Sequence, residues 1–278
     1  MLSLFQKAYG YKCSVLIIQK NKEIVASLPL FYKTFMRFRY TFNPIQFSYC
    51  QISFYYSKRA KTHENRQIET EITSYLANVL KTSFSKIEIK LLPDIYDTRG
   101  FQRNKLLISP LYTFLIDTAQ QNYSYNQIKN IKKAQSLNLT IDHNINPKGY
   151  LGLLQSRMDY RGLWGKQRAN IYKNLLDLSQ NCSFIKAYSI YSENQLIAFR
   201  MIILDQENSY AYDWFTASDQ FSMKNGVNSY LLDYVIKDLC QTGIKHFDLC
   251  GANIPEVSKF KNDFGGDLLV YFFVKKKI

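Results

Sequence analysis

The feature that most constrains this chain is a change of hydrophobic period at Asn225-Gly226. Before it lie three β-branched and aromatic runs, Phe184 to Tyr191, Gln195 to Leu204 and Tyr210 to Phe215. The polar turns Ser192-Glu193-Asn194 and Asp205 to Asn208 separate them, which predicts an antiparallel meander. After the break the period lengthens from two to about 3.6. Val227, Leu231, Leu232, Val235, Ile236, Leu239 and Cys240 make one apolar helical stripe, which Gly243 ends. Ile244 to Leu249 reads as a short strand, and Pro255 opens a short helix carrying Val257, Phe260, Lys261 and Phe264. Gly265-Gly266 then separates that helix from a strand over Leu268 to Val274. Strand, glycine-led helix and strand predict a βαβ unit at the edge of the meander. A helix that starts after a glycine offers free N–H groups and the positive end of its dipole, a place suited to phosphate.

The preceding half shows the same order. Cys13 to Gln19 and Glu23 to Tyr32 read as a strand pair around Lys20-Asn21-Lys22, where Asn21 can take a positive φ. Phe31 to Tyr40 interleaves Lys33, Arg37 and Arg39 with aromatics. That pattern fits a polyanion-binding strand, or an exposed edge or loop whose charges prevent aggregation. A short strand over Cys50 to Tyr56 and a polar, basic loop over Ser57 to Glu64 follow. Ile68, Ile72, Tyr75, Leu76, Val79 and Leu80 then form an amphipathic helix. Ser85 to Leu92 and Tyr112 to Ile116 read as strands, the second closing at Asp117. No residue-level repeat is present. The shared order predicts two similar sheets in one α+β chain, divided as 1–120 and 121–278. The first should be the shorter, because no long helical segment precedes Cys13.

Between the halves, Ser124 to Leu137 predicts a helix with Lys129, Lys132 and Lys133 on one face and Ile128, Ile131 and Ala134 seating it. The basic face is either an anion contact or simply solvated. Two further helices are expected near Tyr150 to Tyr160 and Asn170 to Leu178. The loop Arg161 to Lys166 between them holds Trp164, which would stack on a substrate ring or plug the inter-helix gap.

Composition narrows the partners. A net charge of +14 favours polyanions, anionic cofactors or an anionic membrane face. Met1 to Lys12 has no apolar signal core, and no apolar run approaches the ~20 residues of a membrane span. Five cysteines without repeated spacing, and His63, His143 and His246 standing singly, argue against a disulfide framework and a zinc site. The expectation is a cytoplasmic protein with reduced thiols and no metal.

Two blocks, Gly243-Ile244-Lys245-His246-Phe247-Asp248-Leu249-Cys250-Gly251 and Phe260-Lys261-Asn262-Asp263-Phe264-Gly265-Gly266, carry a resemblance. Together with Asn130-Ile131-Lys132-Lys133-Ala134 they resemble the Fem-type branch of the GNAT acyltransferases. That branch comprises peptidoglycan-bridge aminoacyltransferases and their acetyltransferase-like relatives in polysaccharide loci. The resemblance implies two GNAT-like mixed sheets with flanking helices, the N-terminal copy truncated. It implies acyl transfer to an amine or hydroxyl of a cell-envelope or polysaccharide precursor. The donor would be an acyl-coenzyme A, such as acetyl-coenzyme A, or an aminoacyl-tRNA, and the chain would meet the membrane only peripherally. The sequence departs from the pattern twice. Ile128 and Lys129 stand where the family usually has arginines, and the coenzyme A loop is reduced to one glycine in Phe221 to Ser229.

The resemblance also assigns roles. Lys261 would stabilise the oxyanion formed as the acceptor attacks. Asp248 would take a proton or position the acceptor, or would hold the following turn. Lys224, Gly226, Asn228 and Ser229 would hold donor phosphate, with a plain tight turn as the alternative for Gly226. Lys129, Lys132, Lys133, Tyr212, Asp213 and Phe260 would line the acceptor site. Cys250 has no histidine to activate it and reads as packing. Two rivals remain on charge and the degenerate loop: a basic nucleic-acid-binding module, and a relict that binds donor without reacting.

Overall fold

The computed structural model describes residues 2–55, 62–159, 162 and 165–276. Ser57 to Lys61 of the expected basic loop lie outside these residues, as do Arg161, Leu163 and Trp164 of the expected rim. The chain forms two compact units, Met1–Tyr112 with Leu269–Ile278, and Thr113–Leu268. These compact units divide between Tyr112 and Thr113, whereas the expected division is at 120/121, and Leu269–Ile278 group with the first unit.

The elements run in chain order as α1 (Leu2–Tyr9), β1 (Lys12–Lys20), β2 (Glu23–Phe35), β3 (Phe38–Phe42), β4 (Ser53–Phe54), α2 (Thr62–Ser83) and β5 (Lys86–Lys90). Then come α3 (Arg99–Arg103), β6 (Leu107–Asp117), α4 (Tyr125–Gln135), β7 (Leu139–Asp142), α5 (Pro147–Asp159) and α6 (Lys166–Ser179). The remainder is β8 (Ile185–Ser192), β9 (Gln195–Asp205), β10 (Tyr210–Ser218), α7 (Gln220–Lys224), α8 (Val227–Gln241), β11 (His246–Asp248), α9 (Pro255–Asn262) and β12 (Asp267–Lys276).

In the first unit β1, β2 and β3 form an antiparallel meander. The chain crosses through α2 to β5, which lies parallel to β3, and β12 pairs antiparallel with β5. In the second unit β8, β9 and β10 form the meander, with β7 on the outer side of β8. The chain crosses through α8 to β11, parallel to β10, and β6 pairs antiparallel with β11. Parallel neighbours cannot be joined by a tight hairpin, so each crossover needs a helix.

Local chemistry explains the turns. Asn21 and Lys22 have φ of 53° and 70°, and Glu193 and Asn194 have φ of 49° and 65°. Two successive positive φ values match the twist of a two-residue hairpin. The segment Phe31 to Tyr40 proves to be the β2–β3 hairpin, with β3 paired on both sides instead of lying at an edge. Its cations rest on rings: the Lys33 ammonium lies 4.3 Å from the Tyr11 centroid and the Arg39 guanidinium 4.6 Å from Tyr32.

Each unit has its own core. In the first, Ile72, Leu76, Ala77 and Leu80 of α2 bury against Leu28, Leu30, Ile87 and Ile89. Tyr75, expected in that stripe, is exposed. Cys50 sits in this core, and burial pushes its thiol up to about 12, so it is inert at neutral pH. In the second, Leu231, Leu232, Val235, Ile236 and Leu239 of α8 are at most 1% exposed, whereas Cys240 lies outside the stripe and is exposed. Four short elements, α1, α3, β7 and α7, were not expected from periodicity.

Tyr150 of α5 fastens its helix to the second sheet. Its ring stacks on Phe199 with centroids 4.0 Å apart, and its hydroxyl lies 2.5 Å from the buried Ser189 hydroxyl. Tyr150→Phe keeps the stacking but leaves Ser189 short of a partner, and should cost about 1–3 kcal/mol. Adding Ser189→Ala should recover part of that loss. Urea unfolding of the two variants checks this, and equal stability of the single variant and the wild type would discount the hydroxyl pair.

Candidate active site

The site grows from the short parallel pairing of β10 with β11. Only Tyr210 to Tyr212 and His246 to Asp248 face one another. β10 continues to Ser218 with a bulge between Asp213 and Phe215, whereas β11 stops at Asp248. Past that point the two strands no longer share a ladder. Groups at the end of a strand in such a sheet face the place where ligands sit.

Asp248 is 1% exposed and tied into the exit turn of β11. Its Oδ1 accepts from the Thr113 hydroxyl at 2.6 Å and from the Cys250 N–H at 2.7 Å. The Thr113 hydroxyl oxygen accepts in turn from Gly251 N–H at 3.0 Å. Cys250 and Gly251 both have positive φ, 56° and 99°. The carboxylate thus holds a left-handed turn closed.

Lys261 meets this turn from α9, a helix opened by Pro255 in its first turn. Its side chain is buried, and its ammonium donates to the carbonyls of Leu249 and Gly251, the latter at 2.7 Å. Burial pushes this ammonium below the usual lysine range, and the Asp213 carboxylate is the strongest charge opposing the fall. Asp213 in turn is ion-paired to Arg200, both side chains being more than nine-tenths buried. Asp213 Oδ1 and Arg200 Nε have no hydrogen-bond partner among the described residues. The Tyr212 phenol is pushed far up, first by burial and then by Asp248. Phe260 packs edge-on to Phe264 at 5.3 Å, beside Lys261 on α9.

Lys261, Asp248, Asp213 and Tyr212 therefore come together, with Arg200 joining them. Arg200 escaped the sequence reading. Its signal was a lone cation inside Ile197-Ala198-Phe199-Arg200-Met201-Ile202, a run otherwise suited to a buried strand.

The expected donor-phosphate and basic-helix residues gather at the start of α8. Gly226 has a φ of +75°, and a Cβ there would lie 2.2 Å from the Asn130 carbonyl oxygen of α4. The glycine thus permits a close backbone approach between α8 and α4. Asn228 Nδ2 donates to the Ser218 hydroxyl at 2.9 Å, Ser229 is buried, and Lys224 is exposed. Lys129, Lys132 and Lys133 are all exposed on α4, and the Lys133 ammonium donates to the Lys224 carbonyl at 2.9 Å. Ile131 and Ala134 seat the helix, but Ile128 is 41% exposed and takes no part. Among the described residues no group of His, Cys, Asp and Glu is arranged to hold a metal ion, and no helix is long and apolar enough to cross a membrane.

Gly226→Ala should destabilise the protein by about 1 kcal/mol or more, since it combines a left-handed φ with a backbone clash. A thermal melt checks this. An unchanged melting temperature would mean that α4 yields easily and that close packing does not require the glycine.

Residues 156–262 match a family model described as an acetyltransferase (GNAT) domain. A search of curated proteins gave no match. Among solved structures the chain is similar to FemX, at 10% identity over 98% of this chain and 90% of that one, with a TM-score of 0.65. It is similar to L-PGS from Bacillus licheniformis, at 10% identity over 99% and 91% of the two chains, with a TM-score of 0.60. A tandem GNAT protein from the clavulanic acid biosynthesis pathway shares the fold at 11% identity over 95% and 83%, with a TM-score of 0.56. At these identities the structures speak for the fold alone: the chain has a GNAT-like α+β fold, within which residues 156–262 are similar to an acetyltransferase (GNAT) domain.

Proposed function

We propose that the protein transfers an acyl group from an activated ester or thioester to an amine or hydroxyl. The observation that carries this reading is the buried Lys261 ammonium, fixed by two carbonyls where β10 and β11 part. As the acceptor attacks, its nitrogen or oxygen bonds to the acyl carbon and the carbonyl oxygen becomes an oxyanion. A fixed cation in a dry site stabilises that charge far more than it stabilises the neutral carbonyl. The carbon–sulfur or carbon–oxygen bond of the donor then breaks, and the acceptor's proton leaves with the departing thiol or alcohol. Asp213 Oδ1 is buried and has no hydrogen-bond partner among the described residues, and in this reading it would accept a hydrogen bond from the acceptor. Tyr212 and Phe260 complete that wall, and Asp248 acts by holding the turn that carries the Leu249 and Gly251 carbonyls.

The donor in this reading is an acyl-coenzyme A such as acetyl-coenzyme A, as the matched domain favours, or an aminoacyl-tRNA. Its phosphates would meet Lys224, the Gly226–Ser229 backbone and the side chain of Asn228, while the buried Ser229 would contribute its backbone alone. The exposed Lys129, Lys132 and Lys133 would draw an anionic acceptor, a cell-envelope or polysaccharide precursor, in the cytoplasm or at an anionic membrane face. We also read the first unit as a second GNAT-like copy. Its support is the order of meander, crossover helix, parallel strand and antiparallel strand shared by both units.

Lys261→Ala should lower kcat about a hundredfold or more while KM changes little, because the lost interaction belongs to the transition state. Steady-state kinetics, with a donor and acceptor found by screening and with the fold checked by melting, tests this. Wild-type turnover in a folded Lys261→Ala protein would remove the residue from the mechanism. Donor binding without turnover in the wild type would leave the relict reading.

The depressed ammonium gives a second test. The charged form is the active one, so kcat should fall as pH rises, with its midpoint below the ordinary lysine range. Lys261→Arg, which stays protonated, should move that alkaline limb upward in pH while restoring activity only partly. A limb that stays in place in the arginine variant would belong to another group.

A further inference from the structure

We propose that the first unit carries a separate binding site for a small phosphate-bearing molecule, in a cleft formed by α2 and α3. The cleft has a volume of about 600 Å³ and is lined by His63, Arg66, Thr70 and Ser74 of α2 and by Arg99 and Arg103 of α3, among others. That volume lies within the usual range of small-molecule sites, roughly 300–1,000 Å³.

The site is a product of the packing. Residues 63, 66, 70 and 74 recur at three- and four-residue spacing, so they share the polar face of a helix whose opposite face enters the core. Arg99 and Arg103, four apart, stack on one face of α3. Gly100 between them lets the two helices nearly touch, since a Cβ there would lie 2.5 Å from the Ser74 backbone nitrogen. Asn104 Nδ2 clamps the contact by donating to the Ser74 carbonyl at 3.1 Å. Two sets of cations are thereby held on adjoining surfaces of one depression.

Two local carboxylates, Asp97 and the cleft-lining Glu71, are already engaged. Asp97 accepts both arms of Arg99, Nε at 2.9 Å and a terminal nitrogen at 2.7 Å, and also the Thr70 hydroxyl at 2.6 Å. Glu71 accepts from Gln67 at 3.1 Å and lies 3.7 Å from the Lys20 ammonium. Arg66 and Arg103 have no carboxylate partner among the described residues. Two uncompensated guanidinium forks in one cleft, with His63 at its edge, suit a ligand that presents several oxygens and more than one negative charge. A phosphate or diphosphate group has that form, and arginine binds it in a two-pronged fashion that lysine cannot copy.

This site shares no residue with the acyl-transfer centre, so it can be tested apart from it. The whole chain is titrated with inorganic pyrophosphate and with inorganic phosphate by isothermal calorimetry at low salt, with chloride as the control anion. The variants are Arg66→Gln/Arg103→Gln, Arg66→Lys/Arg103→Lys and, as a control for the proposed donor-phosphate region, Lys224→Gln. Pyrophosphate should bind more tightly than phosphate. The glutamine pair should weaken one binding event at least tenfold with melting unchanged, the lysine pair should weaken it less, and Lys224→Gln should leave it intact. Should the glutamine pair fail to fold, the lysine pair decides alone, because it keeps the charge and removes the fork. Absence of binding at millimolar pyrophosphate, affinity unchanged in a folded arginine variant, or a binding event lost only in Lys224→Gln would each overturn the proposal.

Discussion

The second unit depends on one short parallel pairing, Tyr210 to Tyr212 against His246 to Asp248. Parallel strands force a long crossover, and the crossover must cover a sheet face, so α8 is apolar along the side it buries. β11 ends where Asp248 turns inward to hold Thr113 and the Cys250 amide. That turn aims the Leu249 and Gly251 carbonyls at Lys261, which could not stay buried without them. Strand length, turn conformation and lysine placement are thus one linked arrangement, and a longer β11 would dismantle all three.

The cost of burying charge is met in stages. Arg200 and Asp213 pair within the sheet, and Asp213 is the strongest charge opposing the fall that burial imposes on the Lys261 ammonium. Taking such groups out of water is unfavourable unless each finds a partner. Here Asp213 Oδ1 and Arg200 Nε still lack one among the described residues. Incompletely satisfied buried charge beside a bound lysine is an arrangement that a packed core alone would not select.

Much of this was legible in the chain itself. The β-branched and aromatic runs across Phe184 to Phe215 and the helical period after Gly226 foretold β8 to β10 and α8 closely, because the strands are buried almost throughout and the helix along one stripe. The Phe260-Lys261 and Phe247-Asp248 pairs drew attention to residues that the fold does bring together. What stayed hidden depends on distant partners. The close backbone approach that Gly226 permits depends on the position of Asn130, which no local pattern around the glycine reveals. Arg200 gave no local sign of Asp213, because their pairing runs across strands of opposite direction. Ile128 and Tyr75 fit their helical stripes by spacing yet lie exposed, since a stripe predicted from period alone does not know how far the packed neighbour extends.

The route of the chain through the two units has a consequence for synthesis. β5 receives its antiparallel neighbour from β12, so all of the second unit is translated before the first unit can finish its sheet. Until then the far side of β5 presents open N–H and C=O groups, the condition under which strands recruit wrong partners. Contacts closed over so great a sequence separation also form slowly. A nascent chain of this design spends its longest vulnerable interval with its first unit made but unsealed, and needs protection there until the second unit has been translated.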